Sequence, residues 1–211
     1  MTFANIVLDV YLNLVETQKS ISSSFIYKRS TTTPWFSSRY TFNKDAATFT
    51  LPINLEALRG LTPLEYITDY LKIVPRRQRL YKKLWDLRIS KHRRSKRKDE
   101  DDFDPDRLNL EELAAAFFDF WRGAVSADSF TRMGETLNFQ GLEEFDEKQF
   151  YSVTAFCERF MANEDKKKGL QFKKTVKDQE RADFSSFGKF ERFKISKEMF
   201  CLFSCVKQFN S

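Results

Sequence analysis

Apolar residues recur at steps of three and four along several stretches of the chain, a spacing that places them on one face of an α-helix. The clearest case is residues 3–19, where polar residues separate the members of the apolar stripe. The stripe consists of Phe3, Ile6, Val7, Val10, Tyr11, Leu14 and Val15. We therefore predict an amphipathic helix over residues 3–19.

Residues 20–54 have a different pattern, rich in serine, threonine and aromatic residues. Three short runs within them, at 25–27, 40–42 and 48–51, have the composition of β-strands. Strands this short cannot form a large sheet, so we expect only a small β element inside residues 20–54.

Three later helices are marked by residues that form capping boxes, in which a polar side chain and a Glu or Gln three positions on satisfy each other's backbone N–H groups. These pairs are Thr62 with Glu65, Asn109 with Glu112, and Asp146 with Gln149. Pro63 suits a first helical position. Pro75 pushes its predecessor out of the helical region, so the helix from Pro63 is expected to end near Val74 and the next to begin at Pro75.

Two weaker patterns complete the prediction, a helix over 127–137 and a terminal helix that begins near Ser196. The fold class predicted from these elements is mainly α, with several helices, about six in all, and the minor β element in residues 20–54.

The chain is expected to divide at an acidic run. Residues 99–106 contain six acidic groups and Pro105, which is typical of a linker. On this interpretation residues 1–98 form an N-terminal helical part with the minor β element that ends in a basic helix, and residues 107–211 form a C-terminal helical part.

Positive charge is concentrated in residues 76–98. The whole chain has a formal net charge of +6, whereas this segment holds 12 basic groups against Asp86 alone. A helix with this charge can neutralise several phosphates, which gives strong, salt-sensitive binding to RNA or DNA. The residues expected to contact phosphate are Arg76, Arg77, Arg79, Lys82, Lys83, Arg88, Lys91, Arg93, Arg94, Lys96, Arg97 and Lys98.

We therefore predict a non-enzymatic nucleic-acid-binding protein. RNA or single-stranded nucleic acid is favoured, because no helix-turn-helix, zinc-finger or RNP-type signature is present. A solvated helix end that pairs with residues 99–106 explains the same charges.

A third interpretation is a helical interaction or assembly module. In this module the apolar faces of 109–122 and 146–161 or the Phe-rich tail dock a protein, and the basic run steers it to an acidic partner. Residues 91–98 also have the composition of a nuclear localisation signal.

Other residues that could carry chemistry favour structural roles. Phe184, Phe187, Phe190 and Phe193 could stack on bases, but rings at near-helical spacing usually pack in a core. Cys157, Cys201 and Cys205 are too few for a structural zinc site without the sole histidine, His92. Asp106, Asp146 and Lys148 loosely match a nuclease set, although Asp146 is better explained as a helix cap. We expect no catalytic residue, metal or cofactor.

The sequence also favours an intracellular location. Met1–Leu14 lacks the basic start of a secretory leader, and no stretch has the roughly 18 apolar residues of a membrane-spanning helix. Three cysteines do not indicate a disulfide framework. We therefore expect a cytoplasmic protein, or a nuclear one if the host has a nucleus.

Overall fold

The computed structural model describes residues 42–95, 106–121, 125–139, 142, 144–167 and 194–209. These ranges form a mainly α-helical fold with two small two-stranded sheets, so the predicted fold class is confirmed. The helix predicted over 3–19 and the strand at 25–27 lie outside the described residues, as does all of the strand at 40–42 except Phe42.

The elements follow one another in a simple order, with helices separated by short strands and turns. They are β1 (Ala47–Phe49), a 3-10 helix (Leu55–Leu58), α1 (Pro63–Tyr70), β2 (Leu71–Ile73), α2 (Pro75–Ser95), β3 (Leu108–Asn109), α3 (Leu110–Trp121), α4 (Ala127–Leu137), β4 (Glu144–Phe145), α5 (Glu147–Lys167) and α6 (Lys197–Phe209).

All three predicted capping boxes form. The Thr62 hydroxyl accepts from the Glu65 N–H at 3.2 Å, and the Glu65 carboxylate accepts from the Thr62 N–H at 2.7 Å. The corresponding reciprocal distances are 2.9 and 3.1 Å for Asn109 with Glu112, and 2.8 and 3.0 Å for Asp146 with Gln149. Each box satisfies backbone donors that a helix leaves open at its start.

The first sheet shows that the predicted end of α1 was wrong. The helix ends at Tyr70 rather than near Val74, and Leu71–Ile73 pairs with β1 in antiparallel register, with Ala47 opposite Ile73. The strand β1 lies within the segment where a β element was predicted, but its partner follows α1. Pairing with β1 provides hydrogen-bond partners for the backbone of Leu71–Ile73, and this tertiary contact outweighs the helical pattern of the sequence.

A second sheet was not predicted. It joins β3 to β4, with Leu108 opposite Phe145. Both residues immediately precede capped helix starts, and both are fully buried. The pairing therefore fixes the beginnings of α3 and α5 beside each other.

The helix α5 lies at the centre of the fold. Every residue from Phe150 to Glu164 is buried, and α5 contacts α1, α2, α4, α6 and both strands of the first sheet. Aromatic pairs connect it to both sides of the chain: Trp85 lies 5.3 Å from Phe150 between ring centroids, and Phe49 lies 6.1 Å from Phe156. One hydrophobic cluster thus holds residues from before and after the acidic run. The division at 99–106 itself stays a prediction, because residues 99–105 lie outside the described ranges.

Candidate nucleic-acid interface

Residues 76–95 of the basic segment lie in the long helix α2, as predicted for this stretch, and residues 96–98 lie outside the described residues. Pro75 occupies its start, and the Val74 carbonyl accepts hydrogen bonds from the N–H groups of Arg77 and Gln78 at 2.8 and 3.0 Å. Because proline lacks an N–H group and has a helical φ, this start leaves no donor of Pro75 unsatisfied.

The sequence predicts that one apolar stripe attaches α2 to the core, and only part of this stripe does so; its members are Leu80, Tyr81, Leu84, Trp85 and Leu87. Tyr81, Trp85 and Ile89, four residues apart, are buried and face α3 and α5. Leu80 and Leu84 of the predicted apolar stripe are only partly buried, and Leu87 is 58% exposed. Leu87 was predicted to help anchor the helix, and that prediction was wrong because it lies on the outer side of α2.

The structure describes the side chains of seven of the twelve predicted phosphate-binding residues. Arg93 and Arg94 lie in the last turn of α2, where only the backbone is described, and Lys96, Arg97 and Lys98 lie outside the described residues. The described seven are Arg76, Arg77, Arg79, Lys82, Lys83, Arg88 and Lys91.

Four of these seven cations form ion pairs with carboxylates of α3 and α5. Both Arg88 and Lys91 reach Asp119, at 3.3 and 3.8 Å. The other two pairs, each at 3.3 Å, are Arg77 with Glu158 and Lys82 with Glu147. These four cations of α2 therefore form ion pairs with the neighbouring helices of the same protein, a role that sequence reasoning did not assign to them.

The other three cations form what we call the outer stripe, which consists of Arg76, Arg79 and Lys83. All three side chains are exposed, and none forms an ion pair with a described residue. At steps of three and four residues they share one face of α2, and at about 1.5 Å of rise per residue the stripe spans roughly 10 Å along the helix. These three exposed cations make this face of α2 positively charged.

A buried polar group lies on the opposite side of α2. The Glu158 side chain is only 2% exposed, and one of its oxygens meets Arg77. Its other oxygen, Oε2, and the hydroxyl of Tyr81 are buried without a hydrogen-bond partner among the described residues. Burial raises the pKa of Glu158 to about 7, although the Arg77 guanidinium and the nearby Tyr81 hydroxyl lower it.

The polar group around Glu158 was missed by sequence reasoning. Its signal was a charged pair, Glu158 and Arg159, inside the apolar run from Phe156 to Met161. Arg159 is also buried, donates to the Ala47 carbonyl at 2.7 Å, and lies over the Phe49 and Phe209 rings. Charged residues in such a run must be paired or hydrogen-bonded to be buried.

The remaining candidate residues fall into structural roles where they are described. Asp146 caps α5, and Lys148 pairs with Asp69 at 2.7 Å. Cys157 is buried, where burial raises the pKa of its thiol, whereas Cys201 is exposed. Among the described residues no group of three or more metal-ligating side chains is present. The ladder from Phe184 to Phe193 lies outside the described ranges.

The helix faces that were predicted to dock a protein are used within the fold. The apolar side chains of α3 and α5 are buried in the common core, so neither helix leaves an apolar face for a partner. These buried residues are Leu113, Phe117, Phe118, Phe120, Trp121, Phe150, Val153, Phe156, Cys157, Phe160 and Met161.

Comparison of the chain with protein-family models, with curated proteins and with solved structures finds no match. In the described part of the chain, no helix is both long enough and apolar enough to cross a membrane.

Proposed function

We propose that this protein binds nucleic acid without catalysing a reaction on it, and that the outer stripe of α2 contacts the phosphates. The single observation that carries the proposal is that Arg76, Arg79 and Lys83 are exposed on one helix face and unpaired among the described residues. The local concentration of charge supports it, with 12 basic groups in residues 76–98. We favour RNA or single-stranded nucleic acid as the ligand and an intracellular site of action.

The four paired cations are expected to contribute less than the outer stripe. A phosphate that approaches Lys82 or Arg88 also meets the carboxylate beside that cation, whose negative charge offsets part of the attraction. An unpaired cation instead gains the release of counterions from the nucleic acid. Among the seven described cations of α2, we therefore expect Arg76, Arg79 and Lys83 to contribute most to the affinity for nucleic acid.

The test replaces the outer stripe by neutral residues of similar length. In the variant Arg76→Gln/Arg79→Gln/Lys83→Gln, affinity for a fluorescently labelled single-stranded oligouridylate should fall steeply at low salt. The slope of log K against log salt should flatten by about 2, since each phosphate contact on a single strand contributes about 0.7. Fluorescence anisotropy across a salt series measures both quantities, and circular dichroism checks that the fold is intact.

A matched control removes the same charge elsewhere. Lys44, Arg59 and Lys197 are exposed cations outside α2 that form no ion pair with a described residue. The variant Lys44→Gln/Arg59→Gln/Lys197→Gln should bind almost as the parent does. Equal losses in the two triple variants would mean that net charge, and not the outer stripe, determines binding. No binding by the parent protein, or a flat salt response, would reject the proposed function.

The second half of the basic segment needs its own variant. We expect phosphates to contact this half as well, so replacing Arg93, Arg94, Lys96, Arg97 and Lys98 by Gln should lower the affinity below that of the parent. The comparison with the outer-stripe variant separates the two halves, because contacts of independent sites add in free energy.

A second candidate function is an assembly module that binds an acidic protein surface. It is favoured by Leu87, which is 58% exposed beside the cations of α2. An apolar side chain among charges is typical of protein contacts rather than of phosphate binding. Protein purified at low salt with a high ratio of absorbance at 260 nm to that at 280 nm favours nucleic acid, whereas a clean protein that elutes as a defined oligomer favours assembly.

A further inference from the structure

The contact between α2 and α5 contains an incompletely satisfied carboxyl group. Glu158 is 2% exposed, and its contact with Arg77 at 3.3 Å is the one ion pair it forms with a described residue. Its second oxygen and the Tyr81 hydroxyl are both buried without a well-formed hydrogen bond to a described residue, although the hydroxyl lies close enough to Glu158 to lower the pKa of its carboxyl. Burying a carboxylate is unfavourable unless both oxygens are satisfied, so this group binds a proton more readily than an exposed carboxyl does.

Arg77 lies at the edge of this contact. Its side chain is 28% exposed, and it follows Arg76 of the outer stripe in sequence, at about 100° around the helix axis. While Glu158 is ionised, Arg77 is held toward α5. When Glu158 is neutral, the charge attraction is lost and the long guanidinium side chain is free to turn toward solvent.

We propose that Glu158 acts as a proton-linked latch on α2: it holds Arg77 against α5 when ionised and, when protonated, releases it to solvent as a further cation for phosphate. This inference rests on the proposed function, because it describes regulation of the same phosphate-binding surface. Nucleic-acid affinity should therefore rise as the pH falls through neutrality.

The groups around Glu158 support a transition in this range. Arg77 and Tyr81 face it from α2, Cys157 and Arg159 neighbour it on α5, and the described parts of β1, β2, α1, α4 and α6 bring no titratable group that shifts its pKa. Burial raises the pKa of Glu158 to about 7 from its ordinary value near 4.5, and also raises that of the Cys157 thiol, which stays neutral. Arg159 is directed to the Ala47 carbonyl.

The effect on stability has a definite sign. Because the folded protein binds a proton at Glu158 more tightly than the unfolded chain does, this group stabilises the fold fully below its ordinary pKa. That contribution is lost as the pH rises through the folded value, about 7. The melting temperature of the parent should therefore fall as the pH rises from the ordinary pKa of Glu158 to about 7, relative to that of a variant that cannot ionise at this position.

The deciding comparison uses Glu158→Gln, which mimics the protonated carboxyl at every pH, with Glu147→Gln as its control. Glu147 pairs with Lys82 from the same helix but is 45% exposed. Between about pH 8 and about pH 6, oligouridylate affinity of the parent and of Glu147→Gln should rise about three- to ten-fold, the effect of one additional charged contact. Glu158→Gln should bind tightly at both pH values, and its melting temperature should lack the parent's decline above about pH 5.

His92 does not confound this comparison. Histidine gains charge in the same pH range by its ordinary chemistry, but it is present in the parent and in both variants. A pH dependence as large in Glu158→Gln as in the parent therefore overturns the latch, and so does a parent whose affinity is constant with pH. If the outer-stripe variant still loses binding, only the latch is rejected. If no form binds nucleic acid at any pH, the proposed function falls with it.

Discussion

Two core tyrosines differ in what their hydroxyl groups contact. Tyr66 is fully buried, and its hydroxyl donates to the Thr50 carbonyl at 2.8 Å, which links α1 to the end of β1. Tyr81 is also fully buried, but its hydroxyl has no hydrogen-bond partner among the described residues, and burial raises its pKa. The same side chain is thus satisfied at one position and unsatisfied at the other.

The two tyrosines should respond differently to loss of the hydroxyl. Tyr66→Phe leaves the Thr50 carbonyl without its donor and should destabilise the protein by roughly 1–2 kcal/mol. Tyr81→Phe removes a buried hydroxyl that has no well-formed hydrogen bond and interacts only weakly with the Glu158 carboxyl, so the free energy of unfolding should change little. Urea unfolding of both variants measures the difference, and a larger loss for Tyr81→Phe than for Tyr66→Phe would contradict this ranking of the two hydroxyls.

At this scale the sequence predicts local features better than distant ones. The capping pair Asp146 and Gln149 was predictable because both partners lie within one helical turn. The contact between Arg77 and Glu158 was not, since it joins positions far apart in the chain whose proximity depends on helix packing. Among the predicted phosphate-binding residues, only the structure separates those that pair with carboxylates from the outer stripe.

The helix starts are the best-determined parts of the elements. Thr62 caps α1 through its hydroxyl, and the Glu65 carboxylate returns to both the N–H and the hydroxyl of Thr62, at 2.7 and 2.9 Å. A second threonine of the same helix, Thr68, donates its hydroxyl to the Leu64 carbonyl instead. Within an α-helix that carbonyl already accepts a backbone hydrogen bond, so the additional bond from Thr68 adds little stability.

These two threonines provide a matched pair for measuring the capping energy. Thr62→Ala should destabilise the protein by about 1 kcal/mol, because backbone donors at the start of α1 lose their acceptor. Thr68→Ala should change stability little, since alanine favours the helix and the lost hydrogen bond is redundant. Thermal unfolding followed by circular dichroism compares them; equal losses would mean that the capping box does not hold the start of α1.

The ends of elements were less predictable than their starts. The apolar spacing after Pro63 continues through Leu71 and Ile73, and it favours a helix equally well up to Pro75. What ends α1 at Tyr70 is pairing with β1, and no local residue signals that pairing. The two-residue strands β3 and β4 are too short to leave a periodic pattern.

On the scale of the whole molecule, the described residues share one core. Aromatic contacts connect the beginning of the described chain to its end: Phe49 lies 5.9 Å from Phe209, and Tyr66 lies 5.1 Å from Phe203, between ring centroids. The helix α5 packs against this contact, since Phe156 lies 6.1 Å from Phe49 and 5.8 Å from Phe209 between ring centroids, and α5 is buried over residues 150–164. A helix surrounded in this way cannot lose its neighbours on either side without exposing buried apolar surface.

We therefore expect the described part of the protein to unfold in one cooperative transition. Trp85 and Trp121 belong to α2 and α3, on either side of the acidic run, and both are buried in the same cluster. Denaturation followed by tryptophan fluorescence and by far-ultraviolet circular dichroism should give the same midpoint. Two separated transitions would show instead that the parts before and after the acidic run fold independently.

The central position of α5 also has a consequence for synthesis. The apolar face of α2, with Tyr81, Trp85 and Ile89, is complete at residue 95, but the helix that covers it begins at Glu147. Roughly fifty residues must be added first, which takes a few seconds at typical elongation rates. A nascent chain therefore presents an uncovered aromatic surface beside a dense row of cations, and a message truncated before α5 yields a product that aggregates or binds a chaperone.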